Sequence, residues 1–425
     1  MPLKVVIVGG GFAGLTAAGA LRGAPLDVTL IARDNYHLFQ PLLYQVAAGE
    51  LDGSAIATPI RSLLRGRDVR FHWGSVQEID WQARRLVCAD GFESHWDRLI
   101  LAAGAVTNFF GNENLAGRAF DLKGLGAAET ARSGILGAIE HASASTDPEE
   151  IARSLTFVIA GGGATGVEFC GALLELLRIL LGRDYPELRG HSAQVRLIQG
   201  GARVLPEFAS GLGAYAQERL TTLGAIVTCN THVADFDGER VTLSSGETIA
   251  ARTVIWSAGV TAHPLAARLP GPKAHGGRVP VDAHLRALAC PEVYVLGDLA
   301  YGEDAGAPWP QTAIFAMQSA RHAARHLRAE VEGEAGPPSF RYRDEGRVAV
   351  LHRFDAVAEW PRRHWRARGL TAWIAWLIVH LYRIIGTRNR VLTLLDWATV
   401  YLRHDAAVNL IRETRKSGPR STAPR

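Results

Sequence analysis

An unbroken apolar run, Val5-Val6-Ile7-Val8, leads straight into Gly9-Gly10-Gly11-Phe12-Ala13-Gly14 and then into the small-residue stretch Leu15-Thr16-Ala17-Ala18. A continuous apolar run of this kind reads as a strand buried on both faces of a parallel sheet. The glycines fit G-x-G-x-x-G, and each has a physical task. Gly9 permits a tight turn, Gly11 lets a pyrophosphate approach the backbone, and Gly14 lets the following helix pack on the strand. The helix N-terminus then presents unpaired N–H groups and a positive dipole end to an anion. Strand before and helix after make this a dinucleotide-binding unit, with the dinucleotide itself still open.

Asp27-Val28-Thr29-Leu30-Ile31 reads as the second strand. A Rossmann unit places an acidic residue at the end of that strand for the adenosine ribose, but here Ala32 occupies the position. Asp34 follows after Arg33 and either meets the ribose or is a solvated loop carboxylate. Residues 35–47 are apolar and aromatic without a helical period, so they form a core-facing loop or a wall around an aromatic ring system. His37 within them reads as a hydrogen-bonded structural histidine. Residues 69–79 and 85–88 suggest a strand pair, and Arg98-Leu99-Ile100-Leu101-Ala102-Ala103-Gly104 is a buried strand ending in small residues that leave room for a bulky ligand.

The pattern then repeats. Leu155-Thr156-Phe157-Val158-Ile159-Ala160 precedes Gly161-Gly162-Gly163-Ala164-Thr165-Gly166, and Val167-Glu168-Phe169-Cys170 opens a helix behind it. The next strand, 193–198, ends at Gln199, again not acidic. Val254-Ile255-Trp256-Ser257-Ala258-Gly259 echoes residues 101–104. Two dinucleotide units in one chain imply electron transfer between their ligands. A further apolar strand, 291–296, ends in Gly297-Asp298, which is either a helix cap or, in this context, a flavin contact.

At 425 residues the chain exceeds one ordinary core. Cys88, Cys170, Cys229 and Cys290 are scattered with no C-x-x-C pair, which leaves a disulfide framework, a zinc knuckle and a dithiol centre without support. The first strand begins so early that no signal or transit peptide is expected, and the chain is expected to begin and stay in the cytosol. Net charge is +4, but residues 355–425 carry +8 and the rest −4. A basic C-terminal section on a mildly acidic body points to an anionic surface as partner, membrane or nucleic acid.

With these residues in hand, the sequence resembles the pyridine-nucleotide–disulfide reductase superfamily and, more narrowly, the type II NADH:quinone oxidoreductases. The specific carriers are residues 37–47 (HLFQPLLYQVA), Asn108-Phe109-Phe110-Gly111, Gly166-Val167-Glu168 and residues 372–381. The resemblance implies an α/β fold of two Rossmann-like domains with a C-terminal membrane-associating helical section. It implies FAD at the first loop, with Gly9, Gly11, Phe12, Ala13, Gly14, Arg33, Val76, Ala103, Gly104 and Asp298 as contacts. NADH or NADPH is implied at the second, with Gly161, Gly163, Thr165, Gly166, Gln199, Arg203, Ala258 and Gly259. Glu168 and Gln318 are the expected catalytic residues, Glu168 near the nicotinamide–flavin junction. Gln311, Ile314 and Gln318 are expected on the quinone side, and no metal is expected. Disulfide reductases and sulfide:quinone oxidoreductases share the plan but need redox cysteines, and no cysteine follows Cys290.

Three departures stand out. The family's A-Q-x-A-x-Q reads Ala313-Ile314-Phe315-Ala316-Met317-Gln318, so its first glutamine has become an isoleucine that cannot hydrogen-bond. Gln311 lies about one helical turn earlier and is the candidate substitute. The family's Asp-Lys-Gly reads Asp344-Glu345-Gly346, a reversal of charge. Gln199 in place of an acid removes the repulsion of a 2′-phosphate, and Arg203 is close enough in sequence to meet one.

Residues 362–368 form a basic cluster around Trp365, and residues 372–381 are almost wholly apolar. The run is shorter than the roughly 20 residues that span a bilayer. It reads as a helix lying in the interface, or else as a buried dimer or domain contact, extended by residues 391–401. The expected organisation is an FAD domain from 1–115 and 260–335, an NAD(P)H domain at 116–259, a membrane-docking section at 336–412 and a disordered basic tail at 413–425. The expected partners are a quinone and the cytoplasmic face of the cell membrane, with a homodimer and no nucleic acid.

Overall fold

The computed structural model describes residues 2–400, 410 and 411; the tail expected at 413–425 lies outside the described residues. Leu3–Val8 sits at the centre of a six-stranded sheet, between Arg98–Leu101 and Leu26–Ala32, both parallel to it. Val69–Trp73 extends one side and Cys290–Val295 the other, with Arg286–Ala287 as an antiparallel edge. The Phe12–Ala20 helix packs against the long Ala313–Glu332 helix on one face of this sheet. A second sheet, all parallel, orders Phe120–Asp121, Thr253–Trp256, Thr156–Ala160, Gln194–Ile198 and Ala225–Thr228. Its central strand feeds the Ala164–Arg183 helix. The chain passes between the sheets twice, through Ala105–Thr107 and Val260–Ala262, which pair antiparallel.

The α/β expectation is met, with two local differences. Residues 69–79 do not act as one strand. They break at Gly74, where a Cβ would stand 2.8 Å from His72 Nε2. The first half joins the parallel sheet, and Val76–Asp80 joins an antiparallel meander with Arg85–Cys88 and Glu93–His95. Residues 35–47 contain a one-turn helix, Leu43–Ala47, whose five residues are all buried. A helix buried on every side has no polar face, which is why no amphipathic period shows in its sequence.

The C-terminal section forms an antiparallel sheet of Arg347–His352, Asp355–Trp360 and Trp365–Gly369, followed by the helices Leu370–Arg383 and Thr387–Ala398. Gly171 brings the Ala164–Arg183 helix hard against this sheet, since a Cβ there would lie 1.8 Å from the Leu351 carbonyl oxygen. The Leu370–Arg383 helix buries Ala372, Trp373, Trp376 and His380 and leaves Leu370, Ile374, Ile378 and Tyr382 exposed on the other face. Among the described residues no helix is long and apolar enough to cross a membrane.

Candidate functional site

The two glycine loops are built alike. Gly9 has φ +117°, and a Cβ on it would lie 2.2 Å from the Ala102 carbonyl oxygen. A Cβ on Gly14 would lie 1.8 Å from Gly9 O, because the helix crosses the turn there, whereas one on Gly11 would meet nothing within 4 Å. The second loop repeats this. Gly161 has φ +106° and abuts Ser257, Gly166 abuts Gly161 O, and Gly163 faces open space. Two positions in each loop are therefore closed by protein, and one is left free for a ligand.

A cleft of about 950 Å³ opens on the first loop. Of the residues expected at FAD, Gly9, Gly11, Phe12, Ala13, Arg33, Val76, Ala103, Gly104 and Asp298 line it, and Gly14 lies beneath. Asp34 lines it too, with its carboxylate 3.1 Å from Arg33 Nη2. His37 is buried, and its Nδ1 lies 3.2 Å from Gly10 O. Burial lowers the His37 pKa, so a neutral ring braces the loop. Asp298 also lines the cleft, next to Gly297, which lies against Ala13 of the first helix, and its carboxylate is 3.7 Å from Lys123 Nζ. An open cradle at a helix N-terminus, a carboxylate in the same cleft and small residues along its wall fit a dinucleotide carrying a broad ring. Lys123 was not legible in the sequence. It belongs to the loop after Phe120–Asp121 of the second sheet yet reaches the first cleft.

Thr165, from the N-terminus of the second loop's helix, also lines this cleft, so the second unit reaches it through that residue. Gln199 folds back on its own loop, and its Oε1 accepts from Gly162 N at 2.8 Å. Arg203 Nη2 donates to Pro206 O at 2.8 Å, while its buried Nη1 has no partner among the described residues. Ala258 and Gly259 follow the Thr253–Trp256 strand, with Phe110 against Gly259 and Phe109 against Trp256. Burial pushes the thiol of Cys170 in the second helix up to about 12, and all four cysteines are free. At the edge of the first sheet, His72, Cys88 and Asp90 bring their ligand atoms within 4.8 Å of one another. Burial and Asp90 push the Cys88 thiol up to about 11, and His72 is already paired with Asp90.

Glu168 is 8% exposed. Its Oε1 accepts from Val350 N and from Trp376 Nε1, each at 3.2 Å. Burial raises the carboxyl to about 8 against the opposing pull of those two donors. Trp376 in turn lies 4.4 Å from His380, centroid to centroid, and His380 meets Phe39, which meets Phe12 of the first loop. Glu168 thus sits where both nucleotide units and the C-terminal section join.

Its folded pKa lies above the ordinary 4.5, so between those values the folded state holds the extra proton. This group's contribution to stability is greatest below pH 4.5 and declines as pH rises through 8. Glu168→Gln keeps an acceptor for both donors and removes the buried charge. Urea denaturation should show the variant equal to the parent near pH 4.5 and more stable near pH 9, by on the order of a few kcal/mol. Equal pH slopes would contradict this.

The expected quinone-side residues separate. Gln311 lines the cleft and donates to Asp298 O at 3.1 Å. It precedes Thr312, the N-cap of the Ala313–Glu332 helix, so it is not a helical turn away from Ile314 but lies in the loop before the helix. Gln318 is fully engaged. It donates to Arg343 O (2.9 Å) and Glu345 Oε1 (3.0 Å) and accepts from Arg343 N (3.0 Å). Glu345 also pairs with Arg383 at 2.9 Å, which answers the charge reversal at that position. Ile314 is partly buried on the same helix and offers no polar atom.

Known proteins agree with this construction. The family described as pyridine nucleotide-disulphide oxidoreductase matches residues 3–324. The type II NADH:quinone oxidoreductase Ndh of Mycobacterium tuberculosis is 37% identical over 414 residues, covering 94% of this chain and 88% of its own. NdhA of the same organism, also a type II NADH:quinone oxidoreductase, is 37% identical over 415 residues, covering 94% and 87%. The structure of NDH2 from Plasmodium falciparum in complex with NADH superposes with a TM-score of 0.88 at 19% identity, covering 96% of this chain and all of that one. That likeness speaks to the fold. Two glycine loops of one design, the family match over residues 3–324 and the two relatives at 37% identity along almost the whole length show that the chain belongs to the pyridine nucleotide-disulphide oxidoreductases and, within them, to the type II NADH:quinone oxidoreductase family.

Proposed function

We propose that this chain oxidises NADH at its second glycine loop and delivers the electrons, through FAD held at the first, to a quinone. The observation that carries this reading is the single cleft on which Gly11, Asp298 and Thr165 all open. FAD bound there would supply the redox chemistry, hydride acceptance from a nicotinamide and two-electron reduction of a quinone.

The chain's own residues bind, orient and screen. Gly9, Gly11, Phe12, Ala13 and Gly14 cradle the FAD pyrophosphate at a helix N-terminus, and Arg33 lies at the adenosine end. Val76, Ala103 and Gly104 wall the ring, and Asp298 holds the ribityl chain with Lys123 beside it. Gly161, Gly163, Thr165 and Gly166 take the donor's pyrophosphate, with Ala258 and Gly259 below. Glu168 holds a proton on Oε2 at neutral pH, since its donors engage Oε1 and its pKa is about 8. On the quinone side Gln311 offers an amide at the cleft, Ile314 gives an apolar wall, and Gln318 orients the loop carrying Glu345.

Donor choice follows from Gln199. Its oxygen is already taken by Gly162 N, so the group left for a ribose is the amide N–H, a donor. A 2′-phosphate accepts such a bond better than a hydroxyl does, and the unpartnered Arg203 Nη1 supplies charge. We therefore propose that NADPH is accepted alongside NADH.

One experiment tests both statements. Anaerobic holoprotein is mixed with NADH or with NADPH, and then with a soluble quinone. Each donor should bleach the flavin's visible band, and the quinone should restore it. No bleaching by NADH overturns the function. A flavin that stays bleached overturns the acceptor. NADPH turnover below about a hundredth of the NADH value overturns dual donor use.

Docking to the membrane is part of the same proposal. Leu370, Ile374, Ile378 and Tyr382 are exposed on one C-terminal helix and Val391, Leu394 and Leu395 on the next, and the exposed Arg390 donates to the Tyr382 carbonyl. Exposed apolar side chains with an arginine beside them suit an anionic interface.

A further inference from the structure

The two loops differ at one point. At the first, the cleft opens directly on Gly11, Phe12 and Ala13, the start of the helix. At the second, the corresponding N–H is already used: Ala164 N donates to Glu207 Oε1 at 3.2 Å. Ala164 is the first residue of its helix, where the dipole and the unpaired N–H groups favour an anion. A carboxylate of the chain itself therefore stands where the second loop would take a phosphate.

Glu207 does not reach that point by chance rotation of a loose loop. Leu205 N donates to Gly162 O at 2.7 Å, so the segment is tied to the glycine loop itself. Arg203 holds the Pro206 carbonyl, Arg347 holds the Glu207 carbonyl, and the next side chain, Phe208, is buried. Leu205 takes φ +49°, a left-handed backbone that directs the turn. The backbone is fixed, while the Glu207 side chain is exposed and free to turn away into water.

We infer that Glu207 is an internal competitor for the nucleotide pyrophosphate: it covers the helix N-terminus when the donor site is empty and must swing out when NADH or NADPH enters. This rests on the second loop being the donor site. A carboxylate and a pyrophosphate are both anions and compete for the same N–H groups, so the two cannot share the helix end. The contrast between the loops follows from use. A cofactor that stays is given an open helix end, and a nucleotide that must leave after each turnover meets a resident anion that helps displace it. Glu207 weakens NADH and NAD+ alike, because both carry the same pyrophosphate.

Glu207→Ala and Glu207→Gln in the flavin-loaded protein test this with two non-reacting probes, ADP-ribose, which carries the pyrophosphate, and adenosine, which does not. The ADP-ribose Kd should fall by about two- to tenfold in Glu207→Ala. Glu207→Gln should fall between that variant and the parent, because it keeps the hydrogen bond and loses the charge. Adenosine affinity should stay within about twofold of the parent in both variants. An ADP-ribose Kd in Glu207→Ala equal to or weaker than the parent's overturns the proposal, as does equal tightening of both probes. A parent protein that binds no ADP-ribose removes the donor-site reading, and the competition with it.

Discussion

Gly11→Val should give a folded, colourless protein. Gly11 lies in ordinary extended backbone (φ −79°, ψ −166°), and a Cβ on it meets no atom within 4 Å. Valine therefore fits the chain, but its methyls fill the space through which a pyrophosphate reaches the helix N-terminus. Flavin content should fall from near full occupancy to a trace, measured by visible absorbance per mole of protein. The far-ultraviolet circular dichroism should match that of flavin-stripped parent protein. Its melting temperature should match too, because only the ligand's contribution to stability is lost. Gly14→Val supplies the contrast, with its Cβ 1.8 Å from Gly9 O. That change forces the helix off the sheet and should yield little folded protein. A yellow Gly11→Val variant would contradict the placement of FAD at this loop.

Replacing Ile374, Ile378 and Leu395 together by Glu should release the protein from membranes. These side chains are 45%, 63% and 58% exposed, so the folded protein gives up little by the change. Each aliphatic side chain buried at an interface is worth about 1.5–3 kcal/mol. Three together correspond to a partition coefficient lower by more than a hundredfold, before repulsion of the new carboxylates by anionic lipid. Co-sedimentation with anionic vesicles measures it, and the parent's binding should weaken with salt because the surrounding arginines contribute through a screened field. If the face seals a homodimer instead, vesicle recovery stays unchanged and light scattering shows the triple variant as a monomer.

Several features were legible because they depend on backbone requirements that only one residue type meets. A glycine that must take φ +117° against a carbonyl, or pass a helix over a turn, cannot be replaced whatever the surroundings. Both loops, their strands and the small residues at 102–104 could therefore be read directly. The apolar run at 372–381 was likewise legible as too short to span a bilayer, and it lies within the Leu370–Arg383 helix. Where local pattern was weak, the reading failed. The buried Leu43–Ala47 helix had no period to show, and the segment at 69–79 divides because its two halves pair with different sheets.

The chemistry of the charged residues belonged almost entirely to the tertiary structure. Glu168 could be named from its place behind the second loop, but its donors come from residues 182 and 208 positions away. Burial among these remote segments raises its pKa, and the two donors themselves pull against that rise. Glu345 looked like an uncompensated reversal until the fold brought Arg383 to it across 38 residues. Gln199 was visible as a missing carboxylate, while the turning of its oxygen toward Gly162 was not. Lys123 and Glu207 carry no motif at all. Backbone requirements are settled within a few residues and leave a pattern in the sequence, so the sequence alone determined two dinucleotide units and their order. Electrostatic partners are settled by burial and distance between remote segments, so only the folded chain decided which acid keeps its proton and which anion covers the second loop.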